Sequence, residues 1–387
     1  MSADKYLIRQ LAAIGESTGE RIKALSILLV GSGAAGNEIS KNLALMGFGK
    51  ITIVDFDHIE DSNLSRTTLF RKEDIGKSKA EVAAERLHEL VLHESPQIVG
   101  LHGNIMTEMG KRLFKSHDVV ICCVDTLKAR AYINDWCVVF GTPFFEIGFQ
   151  GFNADITFIN PQGPDRANLR DLIGYKNFGE KRNSCSGLII EDEQLEHIPT
   201  IQSTSAIAGG LLCGELIRFL QGESKLEGKT LKYYGTSHIL DVFTIRPSEK
   251  PPFLHLKRED IHEAPYGNEI SVRELLTWAN ETHQGDYRLR FPSPFVQEWR
   301  CGPCGLERFP QKFKDVIYHQ DLSCENCRRP EEGGIGGKFK MINELHLNSD
   351  SDLLDNPLSY YGYPSGDIVR LRGVQSDGIF ETHILLK

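Results

Sequence analysis

From Ile27 to Thr244 the apolar residues fall into short unbroken runs, separated by stretches of helical spacing. Ile27–Val30, Ile51–Val54, Ile98–Leu101, the run inside DVVICCVD (Asp118–Asp125) and Pro143–Gly148 read as strands. DVVICCVD is apolar on both faces, as a strand buried in a parallel sheet is. Between the strands, Lys79–Leu92, a segment near Met106–Lys115 and Leu127–Phe140 read as helices. Residues 1–20 read as a short helix and turn, Asp155–Ile159 and Lys232–Thr244 as further strands, and Thr204–Gln221 as a late helix with small residues on one side. Strands alternating with helices predict an α/β domain on an open, doubly wound, mostly parallel sheet.

Two breaks interrupt this pattern. Residues 160–198 are polar and read as a long, partly ordered loop or small insert, and loops of that length are usually functional or mobile. The text RPSEKPPF (Arg246–Phe253) reads as a linker. We therefore expect a first domain over residues 1–247 and a smaller α+β domain over 248–387. Near its end, Ile368–Leu371 and Ile379–Leu386 alternate apolar and polar residues, as half-buried strands do.

Composition narrows the classes. The 387 residues are 40% apolar and 25% charged, which suits a soluble globular protein. A net charge of −9 argues against a nucleic-acid surface. No run reaches the roughly 18 apolar residues of a membrane span, and the N-terminal text lacks the apolar core of a signal peptide. The expectation is a cytoplasmic protein without membrane or nucleic-acid partners. Of nine cysteines, Cys122, Cys123, Cys137 and Cys213 stand in apolar text and read as small buried hydrophobes.

The first strand runs into Gly31-Ser32-Gly33-Ala34-Ala35-Gly36 and then a helix. Gly31 allows a tight turn, Gly33 admits a phosphate close to the backbone, and Gly36 lets the helix pack on the strand. The helix N-terminus offers N–H groups and a positive dipole end to an anion. Asp55, about twenty residues on, is placed to accept hydrogen bonds from a ribose. These features predict a nucleotide site and leave the nucleotide open, NAD included. Three further polar sets follow: Asp55 with Asp57 after the second strand, Ser62-Asn63-Leu64-Ser65-Arg66, and Asp74-Ile-Gly-Lys-Ser-Lys79 opening a helix. Asp125 ends the strand DVVICCVD, so it should face the same crevice as Asp55.

Arg9-Gln10, GSGAAG, IVDFD, SNLSR, DIGKSKA and VVICCVD, in this order, resemble the ThiF-type adenylation domain of ubiquitin-activating and sulfur-carrier-activating enzymes. The resemblance covers roughly residues 1–245, including the late segment HIPTIQSTSAIAGGLLCGELIRFL. It implies ATP on the glycine loop, the ribose on Asp55, the phosphates on Asn63, Arg66 and Lys79, and Mg²⁺ on Asp125. It also implies a homodimer in which Arg9 reaches the partner's ATP site. The implied reaction adenylates the C-terminal glycine carboxylate of a ubiquitin-like, β-grasp protein. Two departures stand out. Ser65-Arg66-Thr67 lacks the family's glutamine after the arginine, and Asn160-Pro-Gln-Gly-Pro stands where many members place Cys-x-x-Cys.

Cys185 lies in the loop before the late helix, the place where family members hold their substrate as a thioester. Lys181 and Arg182 beside it would lower its thiol pKa. By resemblance it is the candidate nucleophile for transfer to a conjugating enzyme; a persulfide is the rival chemistry. Cys301, Cys304, Cys324 and Cys327 form C-x₂-C-x₁₉-C-x₂-C, within the range of a structural Zn²⁺ site. A redox dithiol or an iron–sulfur cluster is the rival reading of those cysteines. The expected function is a ubiquitin-like-modifier activating enzyme, with a sulfur-carrier adenylyltransferase as its alternative. Genes for a conjugating enzyme and an isopeptidase nearby, as in a bacterial antiviral operon, would favour the first. A degenerate nucleotide fold serving only as a binding module is disfavoured by the intact Arg66, Lys79 and Asp125. A tRNA-modifying dehydratase is disfavoured by the acidic charge.

Overall fold

The computed structural model describes residues 4–163, 167–174, 200–248, 256–314, 324–327, 337–375 and 378–387. The chain divides into two compact units, Met1–Thr107 with Leu113–Arg258, and Glu108–Arg112 with Glu259–Lys387.

The first unit opens with helices α1 (Asp4–Ile14) and α2 (Glu16–Ala24) and continues β1 (Ser26–Val30), α3 (Ala34–Leu45), β2 (Lys50–Asp55), α4 (Lys79–Leu90) and β3 (Gln97–His102). After α5 (Arg112–Ser116) come β4 (Val119–Cys122), α6 (Leu127–Phe140), β5 (Phe144–Gln150), β6 (Asn153–Ile159), α7 (Leu169–Ile173), α8 (Gln202–Gln221), β7 (Lys229–Tyr234) and β8 (Ile239–Thr244). The strands form one eight-stranded sheet in the order β3-β2-β1-β4-β5-β6-β7-β8. The first five pair in parallel and the last three antiparallel. Chain order reverses between β1 and β4, so the carboxyl ends of these two strands open a crevice at the switch point.

Packing explains the order. β1 and β4 are buried almost throughout, which is why they read as continuous apolar runs. Phe145 of β5 lies directly across from Phe158 of β6, their rings stacked at 4.1 Å, and Phe219 of α8 meets Phe158 edge-on at 5.0 Å. Burying each such ring contributes about 1.5–3 kcal/mol. α8 is long and apolar enough to pass for a membrane span. Its buried face, however, packs on α3, β5 and β6 as a core helix. β8 is the exception in the sheet: all six residues are exposed, among them Ile239, Leu240, Val242 and Phe243.

The helix expected near 106–115 is shorter. Only Arg112–Ser116 is helical, because the residues before it are drawn into the second unit. There the Arg112 N–H donates to the Gly366 carbonyl at 2.8 Å, and Lys111 pairs with the buried Asp367 at 2.5 Å. Long-range partners of this kind override local helical spacing.

The second unit holds β9 (Ile261–Glu263), α9 (Val272–His283), β10 (Asp286–Cys301), β11 (Glu307–Arg308), β12 (Lys312–Phe313), β13 (Gly337–Leu345), α10 (Ser351–Leu354), β14 (Ile368–Gln375) and β15 (Gly378–Leu385). Its sheet runs β11-β10-β14-β15-β9, with β12 and β13 also on β10. β10 contains Pro292 and Pro294, and its pairing with β13 shifts register between Arg290 and Phe295, where prolines are tolerated. α9 presents Val272, Leu275, Leu276 and Ala279 to the core of this unit.

Candidate active site

The crevice at the carboxyl edge of the first sheet is a cavity of about 450 Å³. Gly31 and Gly33 line it from the β1–α3 turn, Asp55 and Asp57 from the end of β2, Asn63 and Arg66 from the following segment, Lys79 from the start of α4, and Asp125 from the loop between β4 and α6. Five separate stretches of sequence thus converge on one crevice.

The turn after β1 takes its shape from glycine. Gly31 adopts φ +96°, and a Cβ there would lie 2.7 Å from the Cys123 carbonyl oxygen. A Cβ on Gly36 would meet the Gly31 oxygen at 2.0 Å. Gly36 therefore serves the packing of α3 on β1 and does not line the cavity. Gly33 caps α3 without any side-chain hydrogen bond, so the first N–H groups of the helix keep their capacity for an anion.

Asp55 is buried, and both of its oxygens are engaged. Oδ2 accepts from the Ser32 N–H at 2.5 Å and Oδ1 from the Asp57 N–H at 2.8 Å. Burial raises its pKa above the usual carboxylate range, and the two backbone hydrogen bonds oppose that shift. Each oxygen still has a lone pair for a hydroxyl. Lys79, buried at the first turn of α4, reaches Asp57 Oδ2 at 2.9 Å. Ser78 caps that helix by accepting from the Glu81 N–H. Arg66 is half-buried and donates to the Ser62 carbonyl at 2.5 Å. Asn63 fixes the turn before it, its Oδ1 accepting from the Glu60 N–H at 3.0 Å. Thr67, in place of the family's glutamine, lines the cavity and bonds back to the Asn63 carbonyl at 3.0 Å. Asp125 is exposed at the cavity wall, just before Thr126, which caps α6.

Three residues that the sequence reading passed over hold these groups in place. Asn37, fully buried in α3, donates to the Ser32 carbonyl at 2.8 Å and accepts from the Leu69 N–H at 3.0 Å. It ties the glycine turn to the segment that carries Arg66. Arg130 donates from Nε to the Val124 carbonyl at 3.0 Å, one residue before Asp125, and pairs with Glu146 at 2.5 Å. Both ends of that pair are 3% exposed, and burial raises the Glu146 pKa despite the Arg130 charge. Asn37→Leu keeps the volume but strands the Ser32 and Leu69 groups. We expect it to cost about 1–3 kcal/mol in urea unfolding and to weaken nucleotide binding in calorimetry.

Arg9 lies on an exposed face of α1 and does not line the cavity. Cys185 lies outside the described residues. In the insert around it, α7 is pinned to α6 by the buried Arg170–Asp135 pair, whose two hydrogen bonds measure 2.7 and 2.6 Å.

The second unit brings its four cysteines together. The sulfurs of Cys301, Cys304, Cys324 and Cys327 all lie within 4.8 Å of one another, with Cys301 and Cys327 at 3.8 Å. Sulfurs about 2.3 Å from a tetrahedral Zn²⁺ stand about 3.8 Å apart, so this donor set fits. Trp299, Leu306 and Phe339 pack around it. Closed four-thiolate coordination leaves no position for a catalytic water.

The ThiF family model matches residues 7–253, more than half of the chain. Among curated proteins, the SUMO-activating enzyme subunit 2 of Dictyostelium discoideum is 39% identical over 150 residues, covering 38% of this chain and 22% of that protein. The ubiquitin-like modifier-activating enzyme 7 of Homo sapiens is 37% identical over 159 residues, covering 39% of this chain and 16% of that protein. The NEDD8-activating enzyme E1 catalytic subunit of Caenorhabditis elegans is 39% identical over 120 residues, 31% of this chain and 27% of that one. The matches thus span about a quarter or less of these relatives' lengths. A solved structure of E. coli MccB superposes with a TM-score of 0.53 at 20% identity, covering 64% of this chain and 71% of that one, a likeness of fold.

Proposed function

The chain belongs to the ThiF family, and from that premise we propose that it activates the C-terminal carboxylate of a ubiquitin-like protein by joining it to AMP. The convergence of Gly31, Asp55, Arg66, Lys79 and Asp125 on one cavity supports this reading most strongly.

In this reading each group has a task. The N-terminus of α3 receives phosphate oxygens, and Asp55 accepts from the ribose with the lone pairs its backbone bonds leave. A substrate carboxylate oxygen attacks the α-phosphorus, the bond to the β-phosphate oxygen breaks, and pyrophosphate leaves. Charge gathers on the phosphate oxygens during that displacement, and Arg66 and Lys79 stabilise it. Lys79 is held by Asp57 until a triphosphate competes for it. Asp55, Asp57, Glu60 and Asp125 outnumber Arg66 and Lys79 by two charges around the cavity, so a bare triphosphate would be repelled. That imbalance favours nucleotide carried with Mg²⁺. Asp125 would hold the ion, which when bound neutralises charge on the departing pyrophosphate.

A second step at Cys185 would release AMP and leave the modifier as a thioester for a conjugating enzyme. Cys185→Ala should retain ATP–pyrophosphate exchange and lose a reductant-sensitive adduct with the modifier on a gel. An adduct that persists moves the nucleophile elsewhere. A homodimer would bring Arg9 of each copy to the other's site. The uncovered apolar side chains of Tyr6 and Ile8 beside Arg9, and those of β8, are the surfaces such an association would bury.

For the cysteine cluster we propose one structural Zn²⁺. Metal analysis of the purified chain should find one equivalent of zinc, and Cys301→Ser should lose it. Pyrophosphate exchange should remain in that variant, because the cluster and the cavity belong to different units.

A further inference from the structure

We propose that a groove on the outer face of α9 binds a cationic side chain, lysine or arginine, presented by a partner protein. The groove has a volume of about 540 Å³ and lies wholly within the second unit. Tyr266 and Trp278 line it, their rings 6.1 Å apart and nearly perpendicular at 86°. Two aromatic faces meeting at a right angle form two walls of a cage, and ring quadrupoles attract a cation placed over them. Tyr266 is 40% exposed, so its ring is available from solvent.

The charges point the same way. Glu274, Trp278 and Glu281 follow one another at four- and three-residue intervals along α9, which places them on one face. Glu274 accepts from the Ser271 hydroxyl and N–H at 2.7 and 3.0 Å, and these hydrogen bonds hold it below the usual glutamate range. Glu281 has no partner among the described residues. Among the described residues lining the groove the one cation, Arg273, is bound to Asp355 at 2.6 Å. His283 packs edge-on to Trp278 at 5.6 Å. Burial and the neighbouring His262 hold it below the usual histidine range, so it adds no positive charge at neutral pH. The groove therefore joins the exposed Tyr266 ring and the half-buried Trp278 ring to two carboxylates that no cation pairs among the described residues, a combination complementary to a partner's cation and hostile to an acidic one.

The test uses the full chain labelled with 5-fluorotryptophan. The sequence has three tryptophans, and Trp278→Phe assigns the signal of interest. N-acetyl-arginine amide is titrated in, with N-acetyl-citrulline amide as a neutral probe of the same shape. The expected result is a saturable shift of the Trp278 signal with the arginine probe and a much weaker response to citrulline. Glu281→Gln should weaken arginine binding by up to about fivefold, as should raised salt. The other two tryptophan signals report that the variant is folded. An equal response to both probes, no saturable shift, or an unchanged affinity in Glu281→Gln would overturn the proposal.

Discussion

Asp125→Ala is expected to abolish modifier-dependent ATP–pyrophosphate exchange, lowering its rate by roughly 10²–10³-fold or more. The carboxylate stands in the loop between β4 and α6, on the cavity wall and open to solvent. Its removal strands no buried partner, so the melting temperature should stay near that of the parent; exposed substitutions usually change stability by less than about 0.5 kcal/mol. The loss should therefore be purely one of chemistry. Asp125→Asn, which keeps the shape but not the charge, should be nearly as inactive. Substantial exchange in either variant would remove Asp125 from the metal role.

Arg130→Met carries the largest expected effect on stability. It leaves Glu146 buried and without its counter-charge, which costs about 3–5 kcal/mol at neutral pH. It also frees the Val124 carbonyl, so Asp125 loses the group that fixes its backbone. The pH dependence has a definite sign. Burial already raises the Glu146 pKa, and losing Arg130 raises it further. The folded variant then binds a proton that the unfolded chain has released, so its stability falls as pH rises above the ordinary glutamate value. Urea melts should show the deficit against the parent growing only above the parent's own, already raised Glu146 titration, and shrinking below it. Pairing Arg130→Met with Glu146→Leu should recover much of the loss, since no uncompensated charge then remains. A flat deficit across pH would mean that the pair is not the cause.

The residues that touch the cavity were legible because their spacing follows from topology. Gly31, Asp55, Lys79 and Asp125 stand just after a buried parallel strand or at the start of the next helix, and those strands announce themselves as apolar runs; Asn63 and Arg66, between β2 and α4, were legible only through the resemblance of SNLSR. The cysteine cluster was legible for a similar reason, since two knuckles at ribbon spacing leave little freedom. Asn37, Arg130 and Glu146 were not. They are polar residues inside helix or strand text, and their partners lie 32 and 16 positions away or on a backbone carbonyl. Nothing local in the sequence marks such pairings. The long β10 was not legible for another reason: Pro292 and Pro294 interrupt its text, and they are tolerated because they occupy a register shift within the strand. The exposed, apolar β8 reads as an ordinary strand, because exposure is set by where the sheet ends and not by the residues themselves.

The central claim is that this cavity joins a protein's terminal carboxylate to AMP. It is tested most directly by incubating the chain and Mg²⁺ with small β-grasp proteins ending in glycine and either α-labelled or γ-labelled ATP, then following the label under acidic conditions that preserve acyl-adenylates. The account predicts that label passes to an acceptor protein from α-labelled ATP only, and not in Asp125→Ala. Label arriving from the γ-phosphate, or transfer undiminished in Asp125→Ala, would contradict it.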